Sequence, residues 1–179
     1  MFKIMRTAIK GLVVIERKKH KDQRGYLMEM FQEKIIGKKF KFQILSKSKK
    51  NVLRGLHFQL KKPQAKYISV IKGKILDVVV DLRKNSKTFG KVYKIILSEK
   101  NCKSIFIPAG FAHGFLTLEK DNIIHYSCTE YRSIGNEFSL LYNDPELKIK
   151  WPKTKFIITK KDLKAKKLKE LFKEKIIKK

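Results

Sequence analysis

Residues 54–83 read RGLHFQLKKPQAKYISVIKGKILDVVVDLR, and this stretch decides the fold. Apolar and polar side chains alternate from Leu56 to Leu60, and β-branched residues dominate the second half. A period of two is typical of β-strands, and a nearly unbroken apolar run suits a strand covered on both faces. Gly73 separates two such runs as a turn would. We therefore predict several consecutive strands of a packed sheet here.

Short segments of the same kind fill most of the remaining chain. They are rich in β-branched and aromatic residues, and turns containing Gly, Pro, Asn or Lys separate them. They are GLVVIE (11–16), YLMEMF (26–31), FKFQIL (40–45), KVYKIILS (91–98), SIFIPAG (104–110), GFLTLE (114–119) and IIHYSCTEY (123–131). Strands at this spacing predict a mainly β protein, an antiparallel sandwich or barrel that forms one domain over residues 1–179.

Two segments have a helical pattern instead. Residues 28–37, MEMFQEKIIG, predict a helical turn that ends at Gly37. The C-terminal segment KKDLKAKKLKELFKEKIIKK (160–179) predicts one helix, with Leu168, Leu171, Phe172 and Ile176 on one face. The lysine-rich face of that helix is able to contact acidic lipid, but we expect the apolar face to pack on the sandwich.

Composition and charge argue against several classes of protein. No apolar run approaches the roughly 20 residues that span a bilayer, and the N-terminal apolar stretch is too broken for a signal peptide. Cys102 and Cys128 form no CxxC pair, which favours free thiols in a reducing cytoplasm. The net charge of +28 comes mostly from lysines spread over every segment, so we interpret it as a solvated surface that attracts anionic substrates, not as a nucleic-acid or membrane site.

Two histidine motifs carry the clearest chemical signal. His57 lies on a predicted strand, and His113 belongs to a Pro-x-Gly-x-x-His turn in IPAGFAHGF (107–115). Zinc or iron needs three or four converging ligands, and the residue two positions after His57 is Gln59. We therefore predict no metal site. Each residue also has a purely structural interpretation: a hydrogen-bonded core histidine for His57, a turn residue for His113 and sheet packing for Tyr126.

The apolar run of residues 75–82 contains two carboxylates. Buried acids need partners, and Lys66 and Arg83 are the candidate partners of Asp77 and Asp81.

The histidine motifs resemble the two conserved motifs of the cupin superfamily, which implies an antiparallel jelly-roll β-barrel with short helices and a site inside its mouth. Over essentially the whole chain, the sequence also resembles the dTDP-4-dehydrorhamnose 3,5-epimerase family. The resemblance implies a cofactor-independent isomerase that inverts C3, C5 or both in dTDP-4-keto-6-deoxyglucose, and a homodimer. The stretches that carry it are DQRGYLMEMF, NVLRGLHFQ, PQAKYISVIKGKILDVVVDLRKNSKTFG, FIPAGFAHGF, HYSCTEY, YNDPELKIKWP and ITKKD.

The resemblance also implies a role for each site residue. It places the catalytic base on His57, the general acid on Tyr126, the carboxylate that pairs with the base on Asp162, and a cation near the ketone on Lys66, with Asp77 as partner of that lysine. Contacts to phosphate and sugar fall on Arg24, Glu29, Arg54, Gln59, His113, Glu137 and Lys161. These residue types suit the reaction, because a 4-ketone acidifies C3 and C5, a histidine removes such protons near neutral pH, and a cation stabilises the enolate.

Two positions depart from the family pattern. The family usually carries Gln-x-Asn before the His57 strand, where this chain reads Phe42-Gln43-Ile44, and a shift of one residue would put Gln43 in the Gln position. Arg132 stands where the family often has a second Tyr. Both positions touch the sugar pocket, so the exact sugar and the inversion of both C3 and C5 stay open. The alternatives with related chemistry are a single-centre epimerase, a ketoisomerase and an enzyme that uses another nucleotide. The alternatives of other classes are a catalytically silent sugar-nucleotide-binding cupin and a nucleic-acid-binding barrel.

Two structural expectations follow from the strand pattern. Alternation predicts that His57 points into the barrel while Leu56 and Phe58 face the other side. Edge strands need cover, so we expect the N-terminal segments GLVVIE and YLMEMF to pair across a two-fold interface.

Overall fold

The computed structural model of the protein describes residues 2–178, and most of its regular structure is β-strand. Three short helices are α1 (Glu33–Ile36), α2 (Lys160–Leu163) and α3 (Leu168–Lys173), with a 3-10 turn at Ile134–Asn136. The strands are β1 (Lys3–Arg6), β2 (Val13–Glu16), β3 (His20–Asp22), β4 (Gly25–Leu27), β5 (Phe42–Lys49), β6 (Leu53–Gln59), β7 (Lys66–Lys72), β8 (Lys74–Asp81), β9 (Val92–Ser98), β10 (Lys103–Ile107), β11 (Phe111–Thr117), β12 (Asp121–Cys128) and β13 (Glu137–Ser139).

Within residues 2–178 the strands form two antiparallel sheets and one hairpin. The six-stranded sheet has the order β1-β2-β10-β7-β12-β5, the five-stranded sheet has the order β13-β6-β11-β8-β9, and β3 pairs with β4. Consecutive strands alternate between the two sheets from β5 to β8 and again from β9 to β13, which gives the jelly-roll barrel that was predicted. Residues from distant parts of the chain therefore face one another across the barrel interior.

The core between the sheets is made by the inward side chains of both. Ile68, Val70 and Ile124 of the six-stranded sheet pack against Val79 and Phe115 of the five-stranded sheet, all of them essentially inaccessible to solvent. Strand β8 is apolar on both faces because Val78 and its neighbours also contact a second cluster on the outer side. The prediction of a strand covered on both faces is thus confirmed.

The C-terminal segment covers the outer face of the five-stranded sheet. Leu168 and Leu171 are buried there against side chains of β6 and β8, which confirms the predicted packing on the sandwich. The single predicted helix is instead two short ones, and Ile176 lies beyond α3. Two hydrogen bonds connect the chain at the start of α3 to residues 141–144. The Lys166 carbonyl accepts from the Leu141 N–H, and the Leu168 N–H donates to the Asp144 carboxylate.

Residues 28–40 cover part of the outer face of the six-stranded sheet. Phe31 packs 5.6 Å from Tyr67, and the Tyr67 hydroxyl donates to the Met30 carbonyl over 3.0 Å. Residues 28–32 have no regular secondary structure, so the predicted helix is limited to α1. Gly37 ends that helix in the left-handed conformation, with φ of 65°, as predicted.

The expected role of GLVVIE at a subunit edge is wrong. Strand β2 pairs with β1 on one side and with β10 on the other, so both of its hydrogen-bonding edges are occupied within the same chain. Of YLMEMF, only the first residues are in a strand, namely β4 of the hairpin. Among residues 2–178, no helix has the length and apolar character needed to cross a bilayer.

Candidate active site

A histidine and a carboxylate pair at the mouth of the barrel. His57 Nε2 on β6 lies 2.7 Å from Asp162 Oδ1 in α2. Thr159 caps that helix by accepting from the Asp162 N–H, and the Gly55 N–H donates to the other oxygen of Asp162. Burial alone would raise the pKa of Asp162, but the hydrogen bond and charge of His57 and the Gly55 N–H lower it below its ordinary value. The carboxylate is therefore ionised and orients the imidazole.

A β-bulge brings Arg54 and His57 to the same cavity. His113 pairs with His57 and Phe115 pairs with Arg54, so β6 has one residue more than β11 between these positions. Without the bulge, two side chains three positions apart would point to opposite faces. Gly55 permits it, because its φ is +114° and a Cβ there would lie 2.6 Å from the Gly114 Cα.

A second histidine–carboxylate pair lies deeper in the barrel. His113 is in the middle of β11, and its Nε2 is 2.8 Å from Asp77 Oδ2 on β8, with both side chains almost fully buried. The predicted partnership of Lys66 with Asp77 is electrostatic, since the charge of Asp77 acts on the Lys66 ammonium. The hydrogen bond of Asp77 goes to His113 instead, because the register of β8 and β11 makes these two residues diagonal neighbours. The other Asp77 oxygen has no hydrogen-bond partner in residues 2–178.

Lys66 begins β7 and faces the same cavity. Burial lowers the pKa of its ammonium, while the opposite charges of Glu137 and Asp77 counteract part of this effect. Because the buried ammonium has lost much of its hydration, it interacts strongly with any negative charge that develops beside it.

Tyr126 approaches the cavity from the opposite sheet. It lies on β12, its ring is edge-on to His113 with centroids 6.5 Å apart, and its hydroxyl is 3.4 Å from Ser46 Oγ on β5. Burial raises the pKa of the Tyr126 phenol well above its ordinary value. The phenol is therefore protonated near neutral pH and suited to donate a proton.

The cavity has a volume of about 390 Å³ and gathers nine of the eleven predicted site residues. It is lined by Phe42, Ile44, Ser46, Arg54, His57, Phe58, Gln59, Gln64, Lys66, His113, Gly114, Phe115, Tyr126, Cys128, Arg132, Glu137, Thr159, Lys161 and Asp162. His57 thus faces the cavity, as alternation predicted, while Leu56 is buried on the other side. Phe58 belongs to that outer cluster too, although part of it reaches the cavity.

Two predicted residues are outside this cavity. Arg24 lies in the turn of the β3–β4 hairpin and pairs with Asp22 at 2.6 Å. Glu29 accepts a hydrogen bond from Gln32 over 2.8 Å on the surface.

Strand β5 decides one departure from the family pattern. Ile44 and Ser46 face the cavity, whereas Gln43 points to the opposite side of the sheet and lies 2.8 Å from His125 Nε2. The shift that would put Gln43 into the pocket is therefore wrong. Alternation along β5 gives this result once the strand is placed, and it also identifies Ser46, which sequence reasoning missed.

Gln59 faces the cavity but uses its amide on the backbone. Its Nε2 donates to the carbonyls of Lys62 and Tyr131, and its Oε1 accepts from the Ser133 N–H. The side chain therefore holds the loop after β12 in place. Among residues 2–178, no cluster of three or more His, Cys, Asp or Glu side chains has the arrangement of a metal site.

Moving a proton at a carbon atom from one face of a sugar to the other requires a base and an acid across one cavity. The barrel supplies such groups from its two sheets, which defines a cupin-like enzyme of the epimerase class. The family model described as dTDP-4-dehydrorhamnose 3,5-epimerase matches residues 6–170. The dTDP-4-dehydrorhamnose 3,5-epimerase of Methanothermobacter thermautotrophicus is 42% identical over 177 residues, covering 94% of this chain and 96% of its own. This chain belongs to the dTDP-4-dehydrorhamnose 3,5-epimerase family, whose members are isomerases.

Two solved structures with a similar fold were determined with sugar nucleotides bound. The dTDP-6-deoxy-D-glucose-3,5-epimerase of Legionella pneumophila, in complex with dTDP-4-keto-L-rhamnose, has a TM-score of 0.93 and 40% identity, covering 99% of this chain and 97% of that one. A 3'-monoepimerase from Streptomyces bikiniensis, in complex with dTDP-quinovose, has a TM-score of 0.90 and 28% identity, covering 96% and 90%.

Proposed function

We propose that this protein inverts C3, C5 or both in dTDP-4-keto-6-deoxyglucose, giving dTDP-4-keto-rhamnose when both centres react. The observation that carries the proposal is the placement of the His57–Asp162 pair and Tyr126 on opposite sheets of one cavity. A base on one side and an acid on the other are the two groups that an inversion at carbon needs.

The proposed reaction begins with His57. An Nε2–H donated to Asp162 leaves Nδ1 with its lone pair, and this nitrogen takes the proton from the carbon next to the ketone. The electron pair moves to the ketone oxygen, and the resulting enolate is stabilised by Lys66 and by the His113–Asp77 pair. Tyr126 then returns a proton to the same carbon from the other face.

The anionic part of the substrate is proposed to meet Arg54 and Lys161, which line the cavity beside the histidine. Arg54 Nε is already oriented by Ser48 Oγ at 3.2 Å. A guanidinium binds phosphate oxygens with two parallel hydrogen bonds, which fixes the nucleotide and so the sugar.

Solvent exchange tests the proposal. In D2O, the protein should incorporate deuterium at the inverted carbons of dTDP-4-keto-6-deoxyglucose, observed by NMR. His57→Ala should lose both exchange and inversion by about 10²–10⁴-fold, the usual contribution of a positioned base. His125→Ala removes the histidine on the outer side of β12 and serves as the matched control. Exchange at the unmodified rate in His57→Ala would refute the assignment of the base.

A single-centre epimerase is the second candidate. It is favoured by Phe42 and Ile44, which line the cavity at the two positions where the family usually carries Gln and Asn, and by the similarity to a 3'-monoepimerase. The same D2O experiment separates the two, since deuterium at C3 alone supports the single-centre enzyme and deuterium at C3 and C5 supports the double one.

We also propose a homodimer in which Arg24 and Glu29 serve the partner's cavity. Within the described chain both are outside the site, and the hairpin that carries Arg24 exposes Tyr26 and Leu27 to solvent. Apolar side chains of this kind on a protruding hairpin are typical of a protein–protein contact. If these residues bind substrate, as the family resemblance implies, they do so from a second copy.

We infer a cytoplasmic site of action. Cys102 and Cys128 are buried and unpaired with each other, which fits a reducing compartment. The net charge of +28 then serves to attract the anionic sugar nucleotide, and nucleic acid is not proposed as a partner.

A further inference from the structure

Arg132 is held at the edge of the cavity by a bidentate ion pair. Its Nε donates to Glu137 Oε1 over 2.6 Å and its Nη2 donates to Glu137 Oε2 over 2.8 Å. Glu137 is half-buried on β13, whereas 62% of the Arg132 side chain is exposed. The carboxylate thus fixes one edge of the guanidinium, and the edge that carries Nη1 stays available.

The loop that carries Arg132 is itself held in place. The Gln59 amide bonds to the backbone of the residues on either side, accepting from the Ser133 N–H and donating to the Tyr131 carbonyl. The Tyr131 ring stacks on Phe42 of the cavity wall, with centroids 5.8 Å apart. A guanidinium that is anchored through its backbone and through one edge loses little conformational freedom when its other edge binds a ligand.

The depth of the cavity determines which part of a ligand Arg132 meets. The groups proposed to act on the keto sugar include His113 and Tyr126, which lie in the barrel interior. Arg132, which is largely exposed, lies at the solvent side of the same cavity, and Lys161 also lines the cavity and acts on Glu137 through its charge. A sugar bound in the interior therefore places the rest of the molecule, its nucleoside diphosphate, along this side.

We propose that the free edge of the Arg132 guanidinium binds the nucleoside diphosphate of the substrate, with Glu137 and Gln59 as its positioning residues. The inference rests on the proposed function and adds to it a residue at a position where the family often has Tyr. A guanidinium contributes charge-assisted hydrogen bonds that a phenol lacks. Glu137 then acts on the ligand through Arg132, because both of its oxygens are engaged.

Calorimetric titration with dTDP tests this role without depending on catalysis. Arg132→Gln should bind dTDP about tenfold more weakly in about 0.15 M salt, which corresponds to about 1.4 kcal/mol. Arg132→Lys keeps the positive charge but lacks the planar guanidinium, so its affinity for dTDP should lie between those of Arg132→Gln and the unmodified protein. Lys84→Gln is the control, because it removes one positive charge from an exposed position outside the cavity. With the keto-sugar substrate, Arg132→Gln should raise KM about tenfold and change kcat by less than about twofold.

The outcomes separate this inference from the proposed function. If the unmodified protein binds dTDP and Arg132→Gln binds it as tightly as Lys84→Gln does, the inference is overturned and the proposed function stands. Failure of the unmodified protein to bind dTDP would overturn both. A lower kcat with unchanged KM and unchanged dTDP affinity would also overturn the inference, since it would place Arg132 in the chemical step. Thermal unfolding of each variant verifies that the loop substitution leaves the fold intact.

Discussion

At the scale of single residues, the surroundings of Tyr126 determine what its hydroxyl can do. The phenol is enclosed by the barrel interior, and its hydroxyl is 3.4 Å from the hydroxyl of Ser46. Burial raises the pKa of the phenol, because an enclosed phenolate loses its hydration. The phenol therefore stays protonated, so it has a proton to give to a strongly basic enolate carbon and no lone negative charge with which to remove one from the substrate.

Substitutions of the two proposed proton-transfer residues should therefore affect solvent exchange and inversion differently. Tyr126→Phe retains the ring and removes only the hydroxyl, so His57 should still exchange the substrate proton with D2O on its own face. Inversion should fall by about 10²-fold or more, since the opposite proton donor is missing. NMR reports exchange and inversion in one sample as deuterium content and product formation.

Tyr93→Phe is a suitable control for that variant, because Tyr93 is a partly buried tyrosine of β9 that lies outside the cavity. Equal loss of exchange and inversion in Tyr126→Phe would contradict separate roles and point to a shared part in binding.

At the scale of elements, the connection between β8 and β9 is organised by one carboxylate. Asp81 ends β8 and accepts hydrogen bonds from the backbone and guanidinium of Arg83 and from the hydroxyls of Ser86 and Thr88. The predicted ion pair with Arg83 is thus confirmed, at 2.8 Å. Burial alone would raise the pKa of Asp81, but the hydrogen bonds outweigh it and lower the pKa to about 2.

The low pKa of Asp81 predicts part of the acid sensitivity of the fold. A carboxyl whose pKa is lower in the folded state stabilises that state above its ordinary pKa of 3.8, and the contribution disappears as the pH falls toward about 2. The contribution is about 2 kcal/mol, at about 1.4 kcal/mol for each pKa unit. Denaturant unfolding between pH 6 and pH 2 should show a smaller loss of stability for Asp81→Asn than for the unmodified protein.

Asp81→Asn should also be less stable near neutral pH, by about 2–4 kcal/mol, because a single amide oxygen replaces a carboxylate that accepts several hydrogen bonds. Asp121→Asn, on the exposed start of β12, is the control and should leave the pH profile unchanged. An unchanged acid profile in Asp81→Asn would show that another carboxyl carries this linkage.

The strands were predictable because their side chains alternate, and the exceptions have physical causes. Alternation along β6 is enough to point His57 inward, but it would then send Arg54 outward, and the bulge at Gly55 leaves no sign in a pattern of apolar and polar residues. The pairing of Asp77 with His113 depends on the register of β8 and β11, which composition does not reveal. Such contacts are decided by tertiary structure.

The carboxylate behind the base shows the value of the family resemblance. Asp162 lies far from His57 in sequence, and nothing in its own segment marks it as a site residue beyond the capping Thr159. The C-terminal helix was predicted from its apolar spacing. Where it divides into α2 and α3, the Lys166 carbonyl accepts from the Leu141 N–H and the Leu168 N–H donates to the Asp144 carboxylate.

At the scale of the whole molecule, the proposed dimer makes each cavity depend on two chains. If Arg24 serves the partner's cavity, Arg24→Ala and His57→Ala inactivate different halves of one composite site. Random mixing of the two variants forms heterodimers in half of the cases, each with one intact site, so activity should recover to about a quarter of the unmodified value. Activity assays after subunit exchange, with light scattering to establish the dimer, measure this.

Mixing that leaves activity at the sum of the two separate variants would show that Arg24 acts within its own chain or not at all. Arg6→Ala replaces Arg24→Ala in the control mixture, because Arg6 lies on β1 and outside the cavity. That mixture should retain the activity of the Arg6→Ala protein and show no further gain.

The division of the site between two sheets links stereochemistry to hydrophobic packing. In the proposed mechanism His57 stands on one sheet and Tyr126 on the other, so the thickness of the core between the sheets sets how far apart the two groups lie. Packed sheets lie about 10 Å apart, and that spacing changes with the volume of the side chains between them. The volume of Val79, Phe115 and their neighbours therefore determines how closely the two sheets bring the base and the acid to the two faces of the sugar ring. The inversion of the sugar therefore depends on core residues that hold the base and the acid at the required distance, although none of these residues transfers a proton.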